Sequence, residues 1–178
     1  MATILALDTS TQACSVALNI DGVVLEDFRM APRLHNDLIL PMVDQILHQA
    51  GLTLSNLDAI AFGRGPGSFT GLRISAGVVQ GLAFGSDLPV IPVSTLAALS
   101  LEGFQKTGQS DWLAALDARM GEIYLGGYRI SKVDGQYDLT LLIDACVAKP
   151  AALSSFWSQF TGVCSGWCYS VFLSSLLS

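Results

Sequence analysis

DAIAFGRGPGSFTGLRI, residues 58–74, is the stretch whose reading decides the fold. Its first five residues are a short apolar run suited to a buried strand. Gly63, Gly65, Gly67 and Gly71 then crowd around Pro66, Ser68 and Thr70, and a helical pattern runs on from about Thr70 to Phe84. A hydroxyl at Ser68 or Thr70 suits the start of that helix, where it satisfies one unpaired N–H. The stretch therefore reads as a strand turned sharply into a capped helix.

Before it, ILALD (4–8) is another buried-strand run, and CSVALNI (14–20) sets Cys14, Val16, Leu18 and Ile20 on one face with a period of two. Asp21-Gly22 is a hairpin signal, and VVLEDF (23–28) continues as a third strand. From Leu34 to Ala50 the spacing of Leu38, Met42, Ile46 and Leu47 turns helical, with Gly51 as its stop and Pro41 expected to kink it or delay its start. After it, PVIPV (89–93) is a fifth strand, and Ser94 or Thr95 caps a third helix. The order is βββαβαβα, an α/β class with a mixed sheet and helices expected on both faces.

Residues 1–104 read as a first lobe, closed by a linker holding Gly103, Gly108 and Ser110. Residues 105–149 open a second: WLAALD (112–117) and EIYLGGYRI (122–130) form a hairpin, with VDGQ (133–136) as the next turn. This opening repeats that of the first lobe, strand, Asp, turn, strand, as a faint duplication. Residues 150–178 hold no charged side chain but eight serines, which breaks the pattern before it. A membrane-facing tail, an ordinary buried segment, and a truncated or frame-shifted end compete there, and the second lobe is expected to be incomplete.

Composition narrows the function. The chain is 51% apolar and only 13% charged, so part of its surface is expected to be covered by a partner. Its net charge of −6 and nine scattered Lys and Arg exclude the basic stripe of an autonomous nucleic-acid binder. MATILALDTS lacks a basic leader region, and Cys14, Cys146, Cys164 and Cys168 form no C-x-x-C pair. Free thiols, a cytoplasmic setting and no membrane are expected.

The glycine loop is none of three familiar catalytic loops. It has no lysine for a Walker A motif. Thr70 stands where a dinucleotide fingerprint needs its third glycine, and Phe69 where a nucleophile elbow needs serine. A capped tight turn, an anion or nucleotide contact, and a partner-contact loop remain open. In the following helix Gly77, Gly81 and Gly85 fall four apart on one face. Each costs about 1 kcal/mol relative to alanine, so another backbone is expected to pack there, from inside the fold or from a partner.

Catalytic sets are thin. His35 and His48 lie too far apart in sequence for a close ligand pair and read as surface or cap residues. Asp8 and Asp117 each end an apolar strand, where a carboxylate holds a metal–phosphate complex or makes an Asx turn. No nucleophile–base set assembles, and neither a catalytic nor a metal-ligating residue is nominated.

ILALDTSTQACSVAL, GRGPGSFTGLRI with its helix, PVIPVSTLAAL and LDARMGEIY together resemble the TsaB family of bacterial tRNA threonylcarbamoyladenosine biosynthesis subunits, over roughly residues 3–130. The resemblance implies an actin-like, sugar-kinase-like ATPase fold. It further implies a non-catalytic, cytoplasmic subunit that pairs with and activates the catalytic relative TsaD, alongside the ATPase TsaE, with tRNA met only through the complex. A homodimer is the expected state when the chain is alone.

The relative's metal-binding H-x-x-x-H falls here on Thr95 and Leu99, which cannot replace imidazoles, so a metallopeptidase reading is disfavoured. Pairing through first-lobe helices nominates Leu38, Met42, Gly77, Gly81 and Gly85 as the interface. Asp8 matches the fold's phosphate-binding aspartate, and Asp8, Thr9, Ser10, Gly65, Gly67 and Ser68 are the candidate nucleotide contacts. This chain is expected to need no cofactor itself, with ATP or ADP and Mg at the complex. An independent ATPase or small-molecule kinase of the same fold is the alternative.

Overall fold

The computed structural model describes residues 2–155, 160 and 162–165. It divides into two units between Ser94 and Thr95. The first holds a five-stranded sheet, β1 (Thr3–Asp8), β2 (Ala13–Ile20), β3 (Val23–Met30), β4 (Ala59–Gly65) and β5 (Val90–Ser94), in the order β3-β2-β1-β4-β5. β1, β2 and β3 are antiparallel, and β4 and β5 run parallel to β1. The mixed α/β sheet is as expected.

Alternation sets the core. Leu5 faces Leu18 and Ile60 across the sheet, and Leu7 faces Val16 and Phe62. Leu5, Leu7, Val16, Leu18 and Ile60 are fully buried, each worth about 1.5–3 kcal/mol on burial. α1 (His35–Ala50) and α2 (Phe69–Ser86) cover that one face together: Ile39, Met42, Val43 and Ile46 from α1 join Val79 and Ala83 from α2 in a single cluster. The expectation of helices on both faces is thus corrected for this unit. The opposite face carries small residues, with Ala6 set between Ala17 and Ala61.

α1 runs through Pro41 without a break and ends at Gly51, whose φ of 68° supplies the left-handed cap. Pro41 has no N–H to give the preceding turn, a cost tolerated on the helix's exposed side. His35 is buried, with Nε2 3.2 Å from the Ala13 carbonyl oxygen, which corrects its reading as a surface or cap residue. His48 is exposed in the last turn.

The second unit begins with α3 (Thr95–Thr107), ten residues before the boundary expected from glycine content. Gly103 does not end this helix, because Leu96, Leu99 and Leu101 hold it against the second sheet on Ala114, Tyr128, Trp112 and Ile130. That sheet comprises β6 (Asp111–Arg119), β7 (Glu122–Val133), β8 (Gln136–Ala148) and β9 (Gly162–Ser165), in the order β8-β7-β6-β9. β6 pairs antiparallel with β7 and parallel with β9, as β1 does with β2 and β4. The duplication that was faint in sequence is a repeat of topology, a second mixed sheet in an α/β chain. Cys14 is buried and Cys146 exposed, both free, while Cys168 and most of the serine-rich tail lie outside the described residues.

Met42, nominated for an interface, is fully buried in the first core. Met42→Ala is expected to lower unfolding free energy by about 2–5 kcal/mol in urea titration. A change under about 0.5 kcal/mol would place the side chain at the surface instead.

Candidate functional site

The glycine loop closes on the turn that leaves β1. Ser10 donates both its backbone N–H and its hydroxyl to Asp8 Oδ1, each at 2.7 Å, which makes an Asx turn. The Ser10 carbonyl accepts the Ser68 N–H at 2.6 Å. Thr9 Oγ1 donates to the Gly71 carbonyl at 2.7 Å. Ser68 caps α2, accepting the Gly71 N–H on its hydroxyl at 3.3 Å.

These contacts explain two of the glycines. A Cβ on Gly71 would lie 1.8 Å from the Thr9 carbonyl oxygen, and one on Gly67 would lie 2.6 Å from the Ser10 carbonyl oxygen. Gly65 instead serves the backbone, with φ of 96°. Thr9 and Ser10 are 0% and 2% exposed.

The structure brings Asp8, Thr9, Ser10, Gly67 and Ser68 together, with Gly65 one turn away, but as a closed knot. The Ser10 N–H and hydroxyl, the Thr9 hydroxyl, and the Ser68 and Gly71 N–H groups are already spent on protein acceptors. A phosphate cradle needs such donors free and convergent. In this arrangement those five donors serve the loop itself. Arg73 stacks on the Phe69 ring at 4.0 Å, and Arg64 is exposed. Asp117 Oδ1 accepts the Arg119 N–H at 2.8 Å, so its Asx-turn reading is the one realised.

Asp8 is the strained member. Its Oδ2 is buried and has no hydrogen-bond partner among the described residues. Burial pushes the carboxyl up to about 6, against the lowering effect of the two Ser10 hydrogen bonds. A raised carboxyl favours the folded state most when protonated, and that advantage is lost as pH rises through about 6.

A second feature lies on the helices. Gly77, Gly81 and Gly85 are exposed, and a Cβ on any of them would meet no atom of the described residues within 4 Å. Beside them a groove of about 700 Å³ runs between α1 and α2, lined by Asn36, Leu40, Phe69, Arg73, Gly77 and Gly81 among others. Phe69 and Phe84 are 69% and 91% exposed. Of the α1 residues nominated, Leu38 is half-buried against the core and Met42 lies wholly inside it, which corrects its placing in an interface. Leu40 and Asn36 line the groove in their place. Leu40 was legible as an apolar residue off the Met42–Ile46 stripe.

Thr95 and Leu99 are both buried in α3. No helix among the described residues is long and apolar enough to cross a membrane.

The family model for TsaD, the tRNA N6-adenosine threonylcarbamoyltransferase, matches residues 8–157. The tRNA threonylcarbamoyladenosine biosynthesis protein TsaB of Haemophilus influenzae is 52% identical over 135 residues, covering 76% of this chain and 57% of that protein. Its Escherichia coli namesake is 53% identical over 126 residues, covering 71% and 54%. The chain thus spans about half the length of these curated relatives. Among solved structures, YeaZ from Pseudomonas aeruginosa is 48% identical with a TM-score of 0.75, covering 84% of this chain and 68% of that one. Another from the same organism, described as similar to peptidase YeaZ, is 40% identical with a TM-score of 0.83, covering 99% and 90%.

Two stability outcomes follow from the site. Gly71→Ala is expected to cost at least about 3 kcal/mol, because backbone must move, whereas Gly77→Ala is expected to gain up to about 1 kcal/mol. Chemical denaturation of both variants checks the contrast. Asp8→Asn, lacking the titration, is expected to gain on wild type as pH rises from 4.5 to 7.5. About 2 kcal/mol of a full linkage of about 3 kcal/mol falls between those two pH values, read from urea midpoints at each.

Proposed function

The chain belongs to the threonylcarbamoyl transferase family and, within it, to the TsaB proteins of tRNA threonylcarbamoyladenosine biosynthesis, and on that premise we propose that it is a non-catalytic subunit that docks and activates a TsaD-like transferase. The observation that carries this reading is the open glycine stripe beside the α1–α2 groove. Glycine inside an exposed helix is costly, and among the described residues no side chain packs on this stripe to offset the cost. A partner helix lying on Gly77 and Gly81 would bring two backbones close and cover Leu40, Phe69 and Phe84.

Thr95 and Leu99 support the non-catalytic role, since neither can ligate a metal as the relative's imidazoles do. The net charge of −6 favours tRNA binding through the assembled complex. In this scheme a TsaE-like ATPase joins the pair in the cytoplasm, ATP or ADP with Mg acts at the complex, and a homodimer forms on the same face when the partner is absent. An independent ATPase built on Asp8 is the weaker reading, because the loop's donors are already spent.

Gly81→Leu tests the proposal. The side chain enters the groove from an exposed helix, so the circular dichroism spectrum and melting temperature of the isolated chain are expected to hold. Affinity for the purified transferase subunit, measured by isothermal titration, is expected to fall at least about a hundredfold. Unchanged affinity would remove this face from the interface.

A further inference from the structure

The α1–α2 groove changes character along its length. Both helices begin at the end of the first sheet where β1, β3 and β4 finish, so their opening turns share one end of the groove. The polar lining residues come from those turns, Asn36 from α1 and Thr70 and Arg73 from α2. Further along, the lining turns to aliphatic side chains and the glycines of the stripe. Of the described lining residues only Arg73 is charged.

That charge is held in place and unanswered. The guanidinium lies over the Phe69 ring, 4.0 Å from its centroid, which restrains the long side chain at the groove's mouth. Arg73 makes no ion pair among the described residues, and Asp37, in the first turn of α1, does not reach it. A restrained planar fork of N–H donors fits a carboxylate with two parallel hydrogen bonds. The stripe beside it has a defect that such a pair would correct. Gly77, Gly81 and Gly85 repeat every four residues, so a helix packed on them meets a similar surface after slipping by about one turn. A single charged contact at one end makes the slipped positions unequal.

We infer that Arg73 fixes the register of the docked partner: the transferase helix lying on Gly77 and Gly81 carries an Asp or Glu whose carboxylate accepts the Arg73 N–H groups at the Asn36 end of the groove. This rests on the docking role proposed above. A second copy of this chain is the poorer occupant. Two copies meeting through the same face bring no carboxylate to the groove, because Arg73 is the one charged residue lining each. RNA is poorer too, since phosphates would meet Arg73 but leave the apolar length of the groove uncovered.

The test titrates the purified transferase subunit with wild type, Arg73→Glu, Arg73→Lys and Gly81→Leu, in about 50 mM and about 500 mM salt. Arg73 is exposed, so the melting temperatures of its variants are expected to hold. Arg73→Glu is expected to weaken affinity at least about a hundredfold at low salt and to recover in part at high salt, whereas wild type weakens with salt. Arg73→Lys keeps the charge but not the fork, and is expected to weaken affinity about tenfold while keeping the wild-type salt dependence. Wild-type affinity in Arg73→Glu, or a loss that salt does not change, overturns the inference. With Gly81→Leu impaired, that result leaves the groove reading standing; wild-type affinity in Gly81→Leu overturns both. Unchanged transferase affinity in Arg73→Glu with altered self-association would assign the residue to a second copy instead. Unchanged affinity with weakened tRNA binding by the assembled complex would assign it to phosphate, and either result overturns the carboxylate pairing.

Discussion

The first unit depends on one close approach, the Thr9 carbonyl oxygen lying 1.8 Å from where a Cβ on residue 71 would stand. Through it the end of β1 and the start of α2 share one volume, with the Ser10 carbonyl on the Ser68 N–H and the Thr9 hydroxyl on the Gly71 carbonyl. Because β1 is the middle strand of the first sheet, fixing α2 to its end fixes α2 over the core. Val79 and Ala83 then reach that core, and the opposite side of the same helix is left to carry Gly77, Gly81 and Gly85. The position of the glycine stripe is therefore set at the glycine loop, about two to four turns of helix away.

That knot also accounts for the cost at Asp8. Its carboxylate orders Ser10, and Ser10 in turn holds Ser68, so the residue acts on the helix through two hydrogen-bonded steps. Only Oδ1 takes part; Oδ2 is left buried without a partner among the described residues. A carboxylate in this state destabilises the fold at neutral pH.

Much of this was legible in the sequence because periods and turns are local. The alternation of Leu5 and Leu7 with Val16 and Leu18, the Asp-Gly turns, and the Ser68 cap each lie within a few residues of their cause. The Thr9–Gly71 contact joins residues 62 apart and leaves no local trace. The boundary at Ser94/Thr95 was missed because Gly103 looks like a helix end, whereas burial of Leu96, Leu99 and Leu101 decides where the helix stays. Met42 was misplaced for a related reason: an apolar position on an amphipathic helix does not say whether its neighbour is the protein's own core or a partner.

The glycines show how such ambiguity is resolved. In the sequence, Gly67, Gly71, Gly77 and Gly81 belong to one glycine-rich run, and composition treats them alike. In space the first two face the chain's own backbone, where a methyl group has no room, and the last two face open space. The inward pair is required by folding, so its presence says nothing about function. The outward pair is opposed by folding, which would favour alanine at both positions. A feature that the isolated fold does not need, and that costs it stability, is better evidence for a partner than any number of residues the fold requires. By that standard the glycine stripe of α2 weighs more than the glycine loop as evidence for a partner.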